Sequence, residues 1–201
     1  LSLEHRAVVV LRYYVDLPLD EIAAVLEIPP GTARSRLHHS LRSLRAAHLQ
    51  QYGDGLRKLM LREPRGYPAL CCNILLPPTQ PEAEAGFVIM EQAEYPGMSG
   101  TNTICVATVL LETGMVPMVE PFTELTLEAP AGLIRIRAEC EGGKVKQVTF
   151  RNVPAFATHL GSVIEVPHLG AATVDVAYGG MFYVIAEANQ FGLRLTPDEG
   201  R

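Results

Sequence analysis

The stretch running from Met98 to Gly114 constrains this chain more than any other. It begins with small, turn-forming residues and then runs apolar through Ile104, Val106, Ala107, Val109, Leu110 and Leu111, with Gly114 placed as a C-terminal stop. No polar face interrupts its middle, so the pattern predicts a helix wrapped on all sides by other structure. Its start is the chemically interesting end. Gly100, Thr101 and Asn102 leave backbone N–H groups without intrahelical acceptors, and such a helix start attracts an anion, for example a substrate carboxylate. Ser99, just upstream, hangs its hydroxyl over whatever sits there.

Strand patterns surround this helix. Residues 71–76 and 86–92 read as strands, separated by the loop Leu76-Pro77-Pro78-Thr79-Gln80-Pro81. After the helix, Glu124-Leu125-Thr126-Leu127-Glu128 and residues 133–140 alternate with period two. Glu141-Gly142-Gly143-Lys144 reads as a hairpin turn into a strand at 145–152, and shorter strands follow at 163–166, 172–178 and 181–186. Many antiparallel strands around one apolar helix give an α+β roll or barrel.

The first 50 residues differ in composition. Residues 3–14 form a first helix with Leu3, Ala7, Val10, Leu11 and Tyr14 near one face. A second covers 19–26, with Asp20 and Glu21 in its first turn, where acids suit the dipole. Ile28-Pro29-Pro30-Gly31 is a turn, and Thr32 is placed to cap a third helix that directs Ala33, Leu37, Leu41 and Leu44 inward. Its outer face carries Arg34, Ser35, Arg36, His38, His39, Arg42 and Arg45, and residues 32–50 contain no acid. Two short helices joined by a tight turn, the second of them basic, form a helix-turn-helix suited to DNA. The third helix runs out through Gln50-Gln51-Tyr52-Gly53 without a Pro/Ser-rich linker, although a short helix at 56–61 follows.

Composition narrows the remaining classes. The formal charge of −5 gives no reason to expect whole-protein affinity for nucleic acid. No apolar run reaches the ~20 residues needed to cross a bilayer, and the N-terminus lacks the pattern of a signal peptide. Cys71, Cys72, Cys105 and Cys140 have no paired metal spacing, and they read as buried free thiols in a reducing cytoplasm. Neither a metal constellation nor a phosphate loop appears, and Lys58, Lys144 and Lys146 stand in no cofactor motif. Both ends read as cut: the first residue is Leu, and Thr196-Pro197-Asp198-Glu199 reads as a helix start just before the last residue.

Three stretches together resemble the proline racemase family, which includes proline racemase, hydroxyproline 2-epimerase and trans-3-hydroxyproline dehydratase. They are Arg62-Glu63-Pro64-Arg65-Gly66-Tyr67-Pro68, then Glu94-Tyr95-Pro96-Gly97-Met98-Ser99-Gly100-Thr101-Asn102-Thr103-Ile104 with Glu112-Thr113-Gly114, and Asp175-Val176-Ala177-Tyr178-Gly179-Gly180-Met181-Phe182-Tyr183. The resemblance runs from about Tyr52 onward and implies a fold of the diaminopimelate epimerase type, in which each lobe wraps a central helix. It places Ser99 at the first acid/base position, usually Cys, and Gly100, Thr101 and Asn102 where backbone N–H groups hold the carboxylate. Proline or hydroxyproline is the implied substrate, and no cofactor is needed.

Two departures matter. The family usually has His at the place of Thr101, and its opening His-Thr-x-Gly-Glu motif is missing. A thiol, near pKa ~8.5, ionises far more readily than a hydroxyl, so Ser99 is a weak base. Within the resemblance, a hydroxyl residue there favours hydroxyproline epimerisation or dehydration over proline racemisation. The partner acid/base lies in a Cys-Gly-Thr-Gly-Thr-like stretch that these 201 residues do not contain, so the resemblance implies a polypeptide inactive alone.

The N-terminal segment resembles region 4 of an extracytoplasmic-function sigma factor. Leu19-Asp20-Glu21-Ile22-Ala23-Ala24-Val25-Leu26 and Ile28-Pro29-Pro30-Gly31-Thr32-Ala33-Arg34-Ser35-Arg36-Leu37 carry that likeness, with Pro18 where such proteins place a Ser or Thr cap. This implies contacts with promoter DNA and RNA polymerase through residues 1–50, with Thr32, Arg34, Ser35, Arg36, His38, His39 and Arg42 on the DNA side. The chain then divides into residues 1–50, a first lobe at 51–165 and the start of a second at 166–201. Three readings compete: an enzyme-derived fragment with a sigma-like segment, a DNA-binding protein with an enzyme-derived passenger, and a homodimer of first lobes.

Overall fold

A computed structural model describes residues 1–13 and 15–197, excluding the side chains of residues 42 and 46. Tyr14, and Asp198 and Glu199 of the expected terminal helix start, lie outside the described residues. The chain forms two compact units, Leu1–Arg151 and Asn152–Arg201.

The first unit opens with α1 (Leu3–Tyr13), α2 (Leu19–Val25) and α3 (Pro30–Tyr52). Val8, Ile22, Ala23, Ala33 and Leu37 make their common core. The face of α1 differs from the expected one: Val8 is buried while Leu3 and Val10 are exposed. Val8, Val9 and Val10 are consecutive, so a rotation of about one residue changes the buried side chain without changing its apolarity. At the start of α3, Pro29 is the N-cap and makes no side-chain cap bond, while Pro30 takes the first helical position. Proline's fixed φ suits that place and its missing N–H costs nothing there. Thr32 therefore lies inside the first turn and is not the cap.

α3 continues past the three-helix core into the second half of the unit. The Arg45 guanidinium donates to the Pro77 carbonyl at 2.8 Å, and the Tyr95 hydroxyl donates to the Leu49 carbonyl at 3.3 Å. Arg45 is thus tied down, and Leu44, expected to face inward, is exposed. α4 (Asp54–Leu61) follows directly. Its buried Arg57 donates from Nε to Asp54 Oδ1 at 2.6 Å and from Nη1 to the carbonyls of Glu91 and Gln92. The Gln92 amide answers by donating to the Leu61 carbonyl at 2.8 Å and the Tyr67 carbonyl at 2.7 Å.

Beyond this clamp stands a five-stranded sheet in the order β1 (Cys72–Leu76), β2 (Ala85–Met90), β3 (Phe122–Ala129), β4 (Gly132–Glu141) and β5 (Lys144–Arg151). All neighbours are antiparallel except β2 and β3, which pair in parallel. The chain between those two passes through α5 (Gly100–Glu112), and a helical crossover returns the next strand in the same direction. The β4–β5 turn has positive φ at Gly142 (60°) and Gly143 (72°), as a two-residue primed hairpin requires. The buried Glu128 carboxylate accepts from the Thr79 N–H and hydroxyl, pinning the proline-rich loop.

Val106, Ala107, Leu110 and Leu111 of α5 pack on Phe87, Leu125, Leu127, Ile134, Ile136 and Ala138 of the sheet. Each large side chain buried this way contributes on the order of 2 kcal/mol. The fold class is α+β, built round this apolar helix, but enclosure is one-sided. Ile104 (40 % exposed) and Val109 (50 %) sit on an open face. The all-round apolar pattern records what the helix tolerates, whereas the sheet in this chain covers one side.

The second unit is a three-stranded antiparallel sheet, β6 (Phe156–Val166), β7 (Gly170–Tyr178) and β8 (Phe182–Ala186). β6 starts well before the expected strand at 163, because a bulge at Gly161 (φ 60°) breaks its alternation. Asp175 Oδ1 accepts the Gly161 N–H at 2.8 Å and holds that bulge.

Two predictions test this account. A Cβ on Gly66 would lie 2.1 Å from the Leu61 carbonyl, so Gly66→Ala should cost about 1–3 kcal/mol in urea denaturation. The Arg57 guanidinium first, and then Lys58, hold the Asp54 carboxyl at about 2, below its ordinary 3.8. A depressed value contributes stability above the unfolded pKa and loses it as pH falls through the folded one. Melting curves of the wild type and Asp54→Asn should therefore differ at pH 7 and converge as pH drops from about 4 to about 2.

Candidate functional site

Ser99 stands in extended conformation (φ −141°, ψ 131°) at the N-cap of α5, and its side chain makes no cap bond to the helix backbone. Its carbonyl accepts the Thr103 N–H at 3.0 Å and the Thr103 hydroxyl at 2.8 Å, which closes the first turn tightly. Its hydroxyl is left for other work. Ser99 Oγ accepts a hydrogen bond from Asn102 Nδ2 at 3.0 Å, and Asn102 Oδ1 accepts one from Asn73 Nδ2 of β1 at 2.9 Å. A donated N–H favours the serine oxygen as it loses its proton, the direction a base requires.

Gly100 is fixed by space: a Cβ there would meet Phe150 Cζ of β5 at 3.1 Å. Asn102 is buried, Thr101 is exposed, and Gly100 and Ser99 are half-buried. Gly100 and Thr101 thus bring the first turn of α5 to the edge of solvent beside the serine, with the positive end of the helix dipole behind them. At the other end of α5, Gly114 (φ 72°) terminates the helix, and Glu112 accepts from Lys144 Nζ at 2.6 Å and the Val145 N–H at 3.0 Å. Lys144 holds the Glu112 carboxyl below its usual range. Glu112, Thr113 and Gly114 are hence a structural clamp between helix and hairpin.

Asn73 is the member that sequence reading missed. It lies 29 residues from Asn102, and its only signal is a polar residue breaking the apolar run Cys71 to Leu76. Its Oδ1 is buried without a hydrogen-bond partner.

On α3, Arg34, Ser35 and His39 are exposed, while Thr32, Arg36 and His38 are half-buried; the side chain of Arg42 is outside the described set. The His39 ring lies 4.8 Å from that of His5 on α1, and the buried Ser40 donates to the His5 carbonyl at 3.2 Å. These contacts fix α3 across α1 and leave its first turns facing outward.

The thiols depart from the expected burial. Cys140 is buried, Cys72 is half-buried with its thiol pushed up by desolvation, and Cys71 and Cys105 are exposed. Among the described residues no His/Cys/Asp/Glu group could hold a metal ion, and no helix is long and apolar enough to cross a membrane.

A serine beside backbone N–H groups at the start of a helix packed on a mixed sheet can receive an anion. Residues 34–201 match the family model for proline racemase, and the chain belongs to the proline racemase family. Residues 1–46 match the model for sigma-70 region 4, so both matches include 34–46 on α3. A probable proline racemase from Agrobacterium radiobacter K84, solved with bound carbonate, shares 41 % identity with a TM-score of 0.69. A hydroxyproline epimerase from Agrobacterium vitis, solved with trans-4-hydroxy-L-proline, shares 40 % identity, also with a TM-score of 0.69. Each comparison covers 73 % of this chain and 43 % of the other, so the chain spans less than half the length of these relatives.

The amide chain yields a prediction. Asn102→Ala removes both side-chain hydrogen bonds and leaves the Asn73 amide without its acceptor, which should cost about 1–3 kcal/mol. Thr101→Ala, on the exposed side of the same turn, should stay within about 0.5 kcal/mol when measured by the same urea titration.

Proposed function

We propose that residues 51–201 derive from a cofactor-independent enzyme that moves a proton at the α-carbon of proline or hydroxyproline, by 2-epimerisation or by trans-3-hydroxyproline dehydration. The observation carrying this reading is the Ser99 hydroxyl, supported by Asn102 beside the open N–H groups of Gly100, Thr101 and Asn102. In this reading those N–H groups hold the substrate carboxylate as negative charge builds on it, and Ser99 faces the α-hydrogen. Inversion needs a second group on the opposite face. The 201-residue sequence has no Cys-Gly-Thr-Gly-Thr-like stretch to supply it, so the reading includes negligible turnover by this polypeptide alone. A lobe at 51–165 with the start of a second at 166–201, cytoplasmic residence and pairing of first lobes as a homodimer belong to the same proposal.

A hydroxyproline-dependent rise in melting temperature, reduced by Asn102→Ala, would support the residual site. Solvent-deuterium incorporation at the α-carbon that is abolished by Ser99→Ala would refute inactivity while keeping the site. Absence of both binding and exchange would remove the substrate assignment.

A second reading is favoured by the exposed Arg34 and Ser35 at the start of an acid-free helix: residues 1–50 contact promoter DNA and RNA polymerase as sigma region 4 does, and the remainder is a passenger. Thr32, Arg36, His38, His39 and Arg42 complete the proposed DNA face. Promoter-DNA affinity should then fall steeply with salt, and Arg34→Ala should reduce the salt slope by about 1.

A further inference from the structure

The face of the five-stranded sheet away from α5 carries an arginine pair that forms no ion pair among the described residues. Ile134, Ile136 and Ala138 of β4 fill the buried face, so Arg135 and Arg137 project from the other. In the β4–β5 register Arg135 stands directly opposite Arg151. Directly opposed residues hold their Cβ atoms about 5 Å apart, and like charges in that relation are destabilising. An open groove of about 460 Å³ lies over them, bordered also by Glu84, Glu124, Thr126 and Thr149.

Two acids border that groove, and neither forms an ion pair with Arg135 or Arg151. Glu84 Oε2 accepts the Thr126 N–H at 2.6 Å. Glu124 stands opposite Arg137, whose guanidinium lies 4.0 Å from the centre of the Phe122 ring. Arg135 and Arg151 have no ion-pair or hydrogen-bond partner among the described residues. Two guanidiniums that start from directly opposed strand positions can reach one oxyanion together.

We propose that this groove binds a phosphoryl dianion between Arg135 and Arg151. A phosphoryl group carries about −1.5 to −2 charges near pH 7 and matches the pair, whereas a single carboxylate leaves one arginine uncompensated. Free phosphate and a small phosphomonoester share this chemistry. The site lies on the opposite face of the sheet from Ser99 and stands independently of the function proposed for that serine.

The test is a titration of the full chain with inorganic phosphate, and separately with glycerol phosphate, at constant pH and ionic strength set by chloride. The readout is melting temperature. Saturable stabilisation beyond that of chloride is expected, and Arg135→Gln or Arg151→Gln should weaken it about tenfold each. Lys146→Gln, with the same loss of charge on the same strand, should leave it unchanged. In phosphate-free, low-salt buffer either arginine substitution should raise the melting temperature, and in saturating phosphate each should fall below wild type. A stronger response to glycerol phosphate assigns the ester, and an equal or weaker one assigns free phosphate. No phosphate-specific shift, an equal loss in Lys146→Gln, or substitutions that destabilise in both buffers would overturn the proposal.

Discussion

Burial of one face of α5 against the sheet is the contact on which the rest of the first unit depends. Val106, Ala107, Leu110 and Leu111 meet side chains from β2, β3 and β4, so the helix joins strands that sequence separates by more than a third of the unit. The same packing sets the helix start. With its body clamped, and Gly100 close against Phe150, the position of Ser99 is fixed relative to β5 and β1. The C-terminal end is secured separately by Glu112 on the β4–β5 hairpin. A mouth held from both ends of one rod needs no loop rearrangement to present its N–H groups, and that preorganisation is where such a site gains its value.

The polar chain behind the serine has a cost. Asn73 and Asn102 lie between apolar elements, and one Asn73 oxygen has no partner. An apolar residue at position 73 of β1 would avoid that penalty, yet it would leave Asn102 Oδ1 without a donor. Under the proposed enzyme-derived reading, the arrangement supports Ser99, a hydroxyl that is a poor base without help.

Much of this was legible from sequence because it is local. The Gly142-Gly143 turn, the period-two runs of β3 and β4 and the Gly114 stop each follow from neighbouring residues, whereas the start of α3 falls two residues before the expected Thr32 cap because Pro30 takes the first helical position. The proline racemase resemblance, which the family match supports, came from residues contiguous along the chain. Contacts that span sequence were not legible. Asn73 gives no local hint that it reaches Asn102, and three consecutive valines hide which face of α1 is buried. The open side of α5 was also invisible, since an apolar side chain is written the same whether or not a strand lies over it. The exposure of Cys71 and Cys105 has the same origin.

Both family matches reach the helix α3. Its opening turns pack with α1 and α2, and its closing turns lie beneath the loop at Pro77 and the ring of Tyr95. A border between two family matches that runs along a continuous helix is not a hinge. The two pieces cannot swing apart or be excised by a cut between them without unwinding that helix. A force applied to one reaches the other through backbone hydrogen bonds, so the junction behaves as an axle instead of a tether.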